Sequence, residues 1–200
     1  MEAKYFTLRE DFRVEIPKIK GSRFIGYSFG ASSPKEFDTA LGRIQKEFND
    51  ARHHCWAWID RKGAERFSDD GEPNGSAGRP ILKVMHGLKL QSTGVIVIRY
   101  FGGTKLGVGG LIRAYTQASQ ACLPQIHLQP TFATLSAKLI FPYALKPHID
   151  RAIKNFVLTP PKTEFLEKVT YGLTVREHDW NELEKILLEI GGGKLEICPE

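Results

Sequence analysis

The chain has 200 residues and no aliphatic run longer than Val95-Ile96-Val97-Ile98. A helix that crosses a bilayer needs about 20 apolar residues in succession, so a helical membrane span is excluded. Cysteine is scarce. Cys55, Cys122 and Cys198 are odd in number, widely separated and form no CxxC pair. This excludes a disulfide framework and fits free thiols in a reducing compartment. Met1 to Phe6 lacks the basic segment and apolar stretch of a secretory signal, so a cytoplasmic location is expected. Internal repeats and low-complexity segments are also missing. Charged residues make up 26% and hydrophobic residues 42%, which excludes disordered and collagen-like classes.

What the chain does have is an uneven charge. The net charge is +5, with 19 Lys and Arg against 13 Asp and Glu up to residue 128, and 9 against 10 beyond it. The first part is therefore +6 and the second −1. That asymmetry points the first part toward an anionic partner. Near the same place Leu123 to Pro130 carries two prolines and loses helical periodicity, as a linker or inter-domain strand would. The expected domains are 1–128 and 129–200, an α+β arrangement.

Periodicity sets out the second domain. Leu135, Ala137, Leu139 and Phe141 alternate as in a half-buried strand, and Leu145, Ile149, Ala152, Ile153 and Phe156 follow at helical spacing. Phe165 to Val175 reads as two short strands around Glu167-Lys168. Asp179 with Glu182 looks like a capping box for a helix carrying Trp180, Leu183, Ile186, Leu187 and Ile190. Gly191-Gly192-Gly193 stops that helix, and Lys194 to Cys198 is the last strand. The order β-α-β-β-α-β is that of a ferredoxin-like sandwich. In the first domain, strands are expected over Phe24–Phe29, His53–Ile59 and Thr93–Phe101. Helices are expected from Ser33-Pro34, from Pro80 to about His86, and from Gly110 to about Cys122.

Two segments carry chemistry. The first, Ser68 to Pro80, holds Asp69, Asp70 and Glu72. Three carboxylates this close can ligate a divalent metal such as Mg²⁺ or act as an acid/base pair. From spacing alone the favoured reading is a turn, because Asp, Gly, Asn and Pro are turn formers. The segment matches neither an EF-hand nor GxSxG, and no base is in sight for Ser76.

The second segment, Arg99 to Tyr115, runs from a buried strand through a loop with Gly102, Gly103, Gly107, Gly109 and Gly110 into a helix. Backbone N–H groups of such a loop and the helix N-terminus attract anions, and Arg99, Lys105 and Arg113 add full charges. Phosphate is the natural ligand. The loop is not a Walker A sequence, and the competing reading is a sharp turn that needs glycine for its backbone alone. Elsewhere, His53 and His54 are adjacent on a strand and point to opposite faces, which does not make a zinc site. Trp56 and Trp58 share a strand face and read as core; Tyr100 or Phe101 could stack on a base, although packing is the favoured role for both.

Asp-Asp-Gly-Glu-Pro-Asn-Gly-Ser-Ala-Gly-Arg-Pro (69–80) followed by Arg-Tyr-Phe-Gly-Gly-Thr-Lys-Leu-Gly-Val-Gly-Gly-Leu-Ile-Arg-Ala-Tyr (99–115) resembles the YigZ/IMPACT family. The likeness extends upstream through Lys20 to Gly26 and Ala51 to Ala57. Ser76 stands where the family more often has Thr, and Thr104 where it has an aliphatic residue. The resemblance implies a first domain like ribosomal protein S5 domain 2 and a ferredoxin-like second domain, a pair similar to domains IV and V of elongation factor G. It also implies a link to translation and to nucleic acid. About 20 residues precede the resembling core, so the RWD domain of eukaryotic IMPACT proteins, and its regulatory role, are not expected.

Two functions follow. In the first, a non-enzymatic factor binds RNA or the ribosome, with Arg99, Gly102, Gly103, Lys105, Gly107, Gly109, Gly110 and Arg113 holding phosphates. Asp69, Asp70 and Glu72 then brace those cations or hold a bridging Mg²⁺. In the second, a Mg²⁺-assisted enzyme acts on a phosphorylated small molecule or nucleotide at the same cleft. The first is favoured, because neither a nucleophile nor a base can be identified. Apart from Mg²⁺ in the roles just named, no cofactor is expected, nor a membrane partner, and the oligomeric state is not readable.

Overall fold

The computed structural model describes residues 4–124 and 127–199. Gln125 and Ile126, inside the expected linker, lie outside the described residues. The chain is mixed α/β and divides into two units, Lys4–Thr131 and a second from Phe132 onward.

The first unit runs β1 (Lys4–Leu8), β2 (Phe12–Ile19), β3 (Ser22–Gly30), α1 (Pro34–Glu47), β4 (His53–Ile59), β5 (Glu65–Ser68), α2 (Gly78–Gly87), β6 (Thr93–Tyr100), α3 (Val108–Ala121) and β7 (Leu128–Phe132). Five strands form an antiparallel sheet in the order β2-β3-β6-β4-β5, and β1 pairs with β7. Val95 to Ile98 is buried on both sides, because this central strand is covered on both faces. Val95 and Val97 join Phe24, Cys55 and Ala57 in packing with Ile81 and Met85 of α2 and Ala114 and Tyr115 of α3. Ile96 and Ile98 join Ile25, Phe29 and Trp58 in packing with Phe37 and Ile44 of α1. Helix α1 starts as its sequence dictates: the Glu36 N–H donates to Ser33 Oγ, and the Ser32 N–H donates to the Glu36 carboxylate.

Strands β1, β2 and β5 have no counterpart in the sequence reading. β2 is an edge strand whose outward positions hold Arg13, Glu15 and Lys18, and its register shifts between Ile16 and Ile19, around Pro17. Proline and a shifted register belong at sheet edges, and they hide the alternation that marks a strand. β5 is a short, exposed edge with no apolar period to read.

The second unit is β8 (Thr134–Phe141), α4 (Lys146–Ile153), β9 (Lys162–Phe165), β10 (Val169–Arg176), α5 (Trp180–Gly191) and β11 (Glu196–Pro199). Its antiparallel sheet has the order β11-β8-β10-β9, so the first and third strands of the unit are central. Ala137, Leu139, Phe141, Tyr171 and Leu173 meet Ile149, Leu183 and Leu187 in one core. The expected capping box at Asp179 does not form. A 3₁₀ turn, Glu177–Asp179, leads directly into α5, and Asp179 pairs with the His178 ring at 3.0 Å instead of capping. No helix among the described residues is long and apolar enough to cross a membrane.

Candidate functional site

Antiparallel pairing of β5 with β4, and of β4 with β6, makes β5 and β6 run in the same direction. The acidic loop after β5 and the glycine loop after β6 therefore leave the same end of the sheet. Register sets the next step: Phe24, Arg99 and His53 stand side by side on β3, β6 and β4. This row lies one step beyond the last fully apolar row, Gly26, Val97 and Cys55.

Arg99 is 5% exposed and Glu72 9%. Arg99 Nη1 donates to Glu72 Oε1 at 2.6 Å, and the Tyr115 hydroxyl of α3 donates to the same oxygen at 2.8 Å. His53 Nε2 is 4.0 Å from it. Arg99 Nη2 and the Gly102 N–H both donate to Ser22 Oγ, at 3.3 and 3.2 Å. The two motifs thus meet in one buried network that includes Ser22, which sequence reasoning missed. The Arg99 guanidinium also lies 5.6 Å from the ring centroid of Phe101, which is 43% exposed. Arg99 stands behind the glycine loop rather than on its surface.

The three carboxylates do not converge. Asp69 turns inward and accepts from the N–H groups of Gly75, Ala77 and Gly78 at 2.8, 2.9 and 2.8 Å. Ala77, at the N-cap of α2, offers no acceptor of its own, so Asp69 caps the helix from a distance. Asp70, at a left-handed φ of 38°, accepts the His54 N–H at 2.6 Å, and its carbonyl accepts from His53 Nδ1 at 2.7 Å. Glu72 is spent on Arg99 and Tyr115. Among the described residues no group of three His, Cys, Asp or Glu is placed to hold a metal ion. Ser76 Oγ donates to the Pro73 carbonyl at 2.6 Å and ties the loop. Asp69→Ala is expected to cost about 2 kcal/mol of stability in urea unfolding, the upper range for a lost cap. Asp69→Asn, which still accepts, should cost less; equal losses would refute the capping role.

Burial pushes the thiols up. Cys122 is raised to about 12, and Cys55 is raised further by desolvation, although its hydrogen bond with Tyr115 opposes that rise. Tyr115 is raised chiefly by burial, with Cys55 and Glu72 adding to the effect. These groups stay neutral and serve as hydrogen-bonding parts of the interior rather than as nucleophiles.

The glycine loop is different: Gly102, Gly103, Lys105, Gly107, Gly109 and Arg113 are exposed, and Gly110 is partly so. Gly107 occupies the N-cap of α3 at φ 71°, a conformation that favours glycine, and no side chain caps the helix. Arg113 reaches back over Gly109: its Nη1 would be 3.8 Å from a Cβ there. Neither Lys105 nor Arg113 has an ion-pair partner among the described residues. Gly102 packs backbone against backbone on Gly21, in the two-residue turn Lys20-Gly21 between β2 and β3.

Residues 20–123 match the family model described as the Impact N-terminal domain. The IMPACT family member YvyE of Bacillus subtilis (strain 168) is 31% identical over 195 residues, covering 96% of this chain and 89% of that one. The IMPACT family member YigZ of Escherichia coli (strain K12) is 39% identical over 121 residues, covering 57% of this chain and 58% of that one. Among solved structures, the crystal structure of a hypothetical protein superposes with a TM-score of 0.70 at 26% identity, over 99% of this chain and 97% of that one. Matched by the family model over more than half its length, and 31% identical to one family member over 96% of it, the chain belongs to the IMPACT family.

Proposed function

We propose that the protein is a cytoplasmic, translation-associated factor that binds RNA or the ribosome through the glycine loop and the start of α3. The observation that carries this reading is the pair of exposed cations, Lys105 and Arg113, beside a helix N-terminus that no side chain caps. Unpaired cations and free N–H groups on glycine-rich backbone are what a phosphate needs, and the absence of Cβ atoms lets it approach closely. Phe101 next to them offers an exposed ring on which a base can stack. Direct contact falls to the loop N–H groups of Gly103, Gly107, Gly109 and Gly110 with Lys105 and Arg113, while Gly102, whose N–H is taken by Ser22, and Arg99, held by Glu72, fix the loop from behind. In this reading the two units correspond to an S5 domain 2-like domain and a ferredoxin-like domain akin to domains IV and V of elongation factor G.

The test is salt dependence. Affinity for a fluorescent single-stranded RNA should fall with salt by a slope of about −0.7 per phosphate contacted. Lys105→Gln and Arg113→Gln should each flatten the slope by roughly one unit at most. If RNA is not retained at low salt and the protein does not cosediment with ribosomes, the reading is wrong.

A further inference from the structure

Helices α2 and α3 pack side by side and leave between them an open groove of about 830 Å³. Its lining runs from Arg79 to Leu88 along α2, a length of roughly 14 Å at 1.5 Å per residue. Pro80, Val84, Leu88, Ile112 and Leu123 supply an apolar lining, and Ile112 is 39% exposed there. Arg79 and Lys83, one helical turn apart, are exposed on its α2 side and have no ion-pair partner among the described residues. No carboxylate lines the groove. The reason lies in the sequence: between Glu72 and Asp150 the chain contains no Asp or Glu at all. Helices α2 and α3 therefore carry Arg79, Lys83 and Arg113 without any opposing charge of their own.

A groove with an apolar lining, cations along one side and a length of about two and a half helical turns fits an amphipathic helix whose polar edge is acidic. RNA fits less well, because no aromatic side chain lines the groove and single strands are held largely by stacking on such rings. We propose that this groove receives an acidic amphipathic helix from a partner protein. Leucine-like anchors at i, i+3 or i+4, and i+7 enter between Val84 and Ile112, and carboxylates meet Arg79 and Lys83. The site is separate from the phosphate-binding loop, and α3 contributes to both: Arg113 faces the loop and Ile112 faces the groove.

The probe is a fluorescein-labelled helical peptide of about twelve residues, long enough to run the groove, with leucines at those spacings and glutamates flanking them. A control peptide carries lysine in place of each glutamate. Anisotropy titration of the full chain should show saturable binding of the acidic peptide, at least about tenfold tighter than the lysine control. In ¹⁵N-detected spectra the perturbed amides should lie on α2 and around Thr116 to Leu123. Ile112→Glu and the double variant Arg79→Glu/Lys83→Glu should each weaken binding by about tenfold or more. The same variants should keep the unmodified protein's unfolding curve, since these side chains are exposed. Lys105→Gln should leave peptide binding unchanged, which separates this site from the RNA site. Equal binding of the two peptides, no binding of either, or displacement of the acidic peptide by an oligouridine would overturn the proposal.

Discussion

Glu72→Ala is expected to be the most damaging single substitution in the first unit, at about 3–5 kcal/mol, the range for breaking one side of a buried ion pair. The cost comes from what is left behind. Arg99 has only 6% of its side chain exposed, and Glu72 is its one ion-pair partner among the described residues. Tyr115 loses its acceptor at the same time. Urea unfolding monitored by the tryptophans should shift the transition of the first unit. Adding Arg99→Leu to Glu72→Leu should restore much of the loss, because two apolar residues can replace a buried pair at little cost. A double variant as unstable as the sum of its singles would show that the pair is not coupled.

Gly102→Ala is expected to cost about 3 kcal/mol, at the top of the overpacking range. A Cβ at position 102 would stand 1.8 Å from the Gly21 carbonyl carbon and 2.1 Å from the Ser22 nitrogen. Both are backbone atoms, so no side chain can rotate out of the way. Moving the β2–β3 turn aside would also pull Ser22 away from Arg99 and from the Gly102 N–H. Gly103→Ala provides the contrast. Its φ is 87°, and a Cβ would meet nothing within 4 Å, so only the backbone strain of about 1–2 kcal/mol applies. If thermal or urea melts rank the two the other way, the close approach is not what Gly102 is needed for.

These two expectations mark where sequence reading stops. The β3, β4 and β6 strands, the three helices of the first unit and five of the six elements of the second were legible, because their apolar periods are local; β9 is exposed throughout and shares only Phe165 with the stretch expected to begin there. The glycine loop was legible for the same reason: glycines and cations lie within fifteen positions of one another, from Arg99 to Arg113. Its partner residues were not. Ser22 reaches Arg99 only because β3 is the neighbour of β6, and strand order is not written in local pattern. Glu72 could be named as a carboxylate able to brace a cation, yet which cation it meets depends on β5 and β6 running in the same direction. The Asp179 capping box failed for a different reason. Its spacing is right, but a 3₁₀ turn gives Asp179 a helical backbone, where its side chain no longer faces the free N–H groups.

The distant cap on α2 bears on the order in which the first unit folds. Ala77 gives the helix no start signal, and the acceptor that serves it belongs to Asp69, eight residues earlier. Ten residues are too few to hold a helix in water by themselves. Helix α2 is therefore expected to form late, since its first turn gains a partner only once the acidic loop has closed back on β5. On that expectation, weakening Asp69 should speed the loss of native structure more than it slows its formation, as unfolding and refolding rates of Asp69→Ala would show.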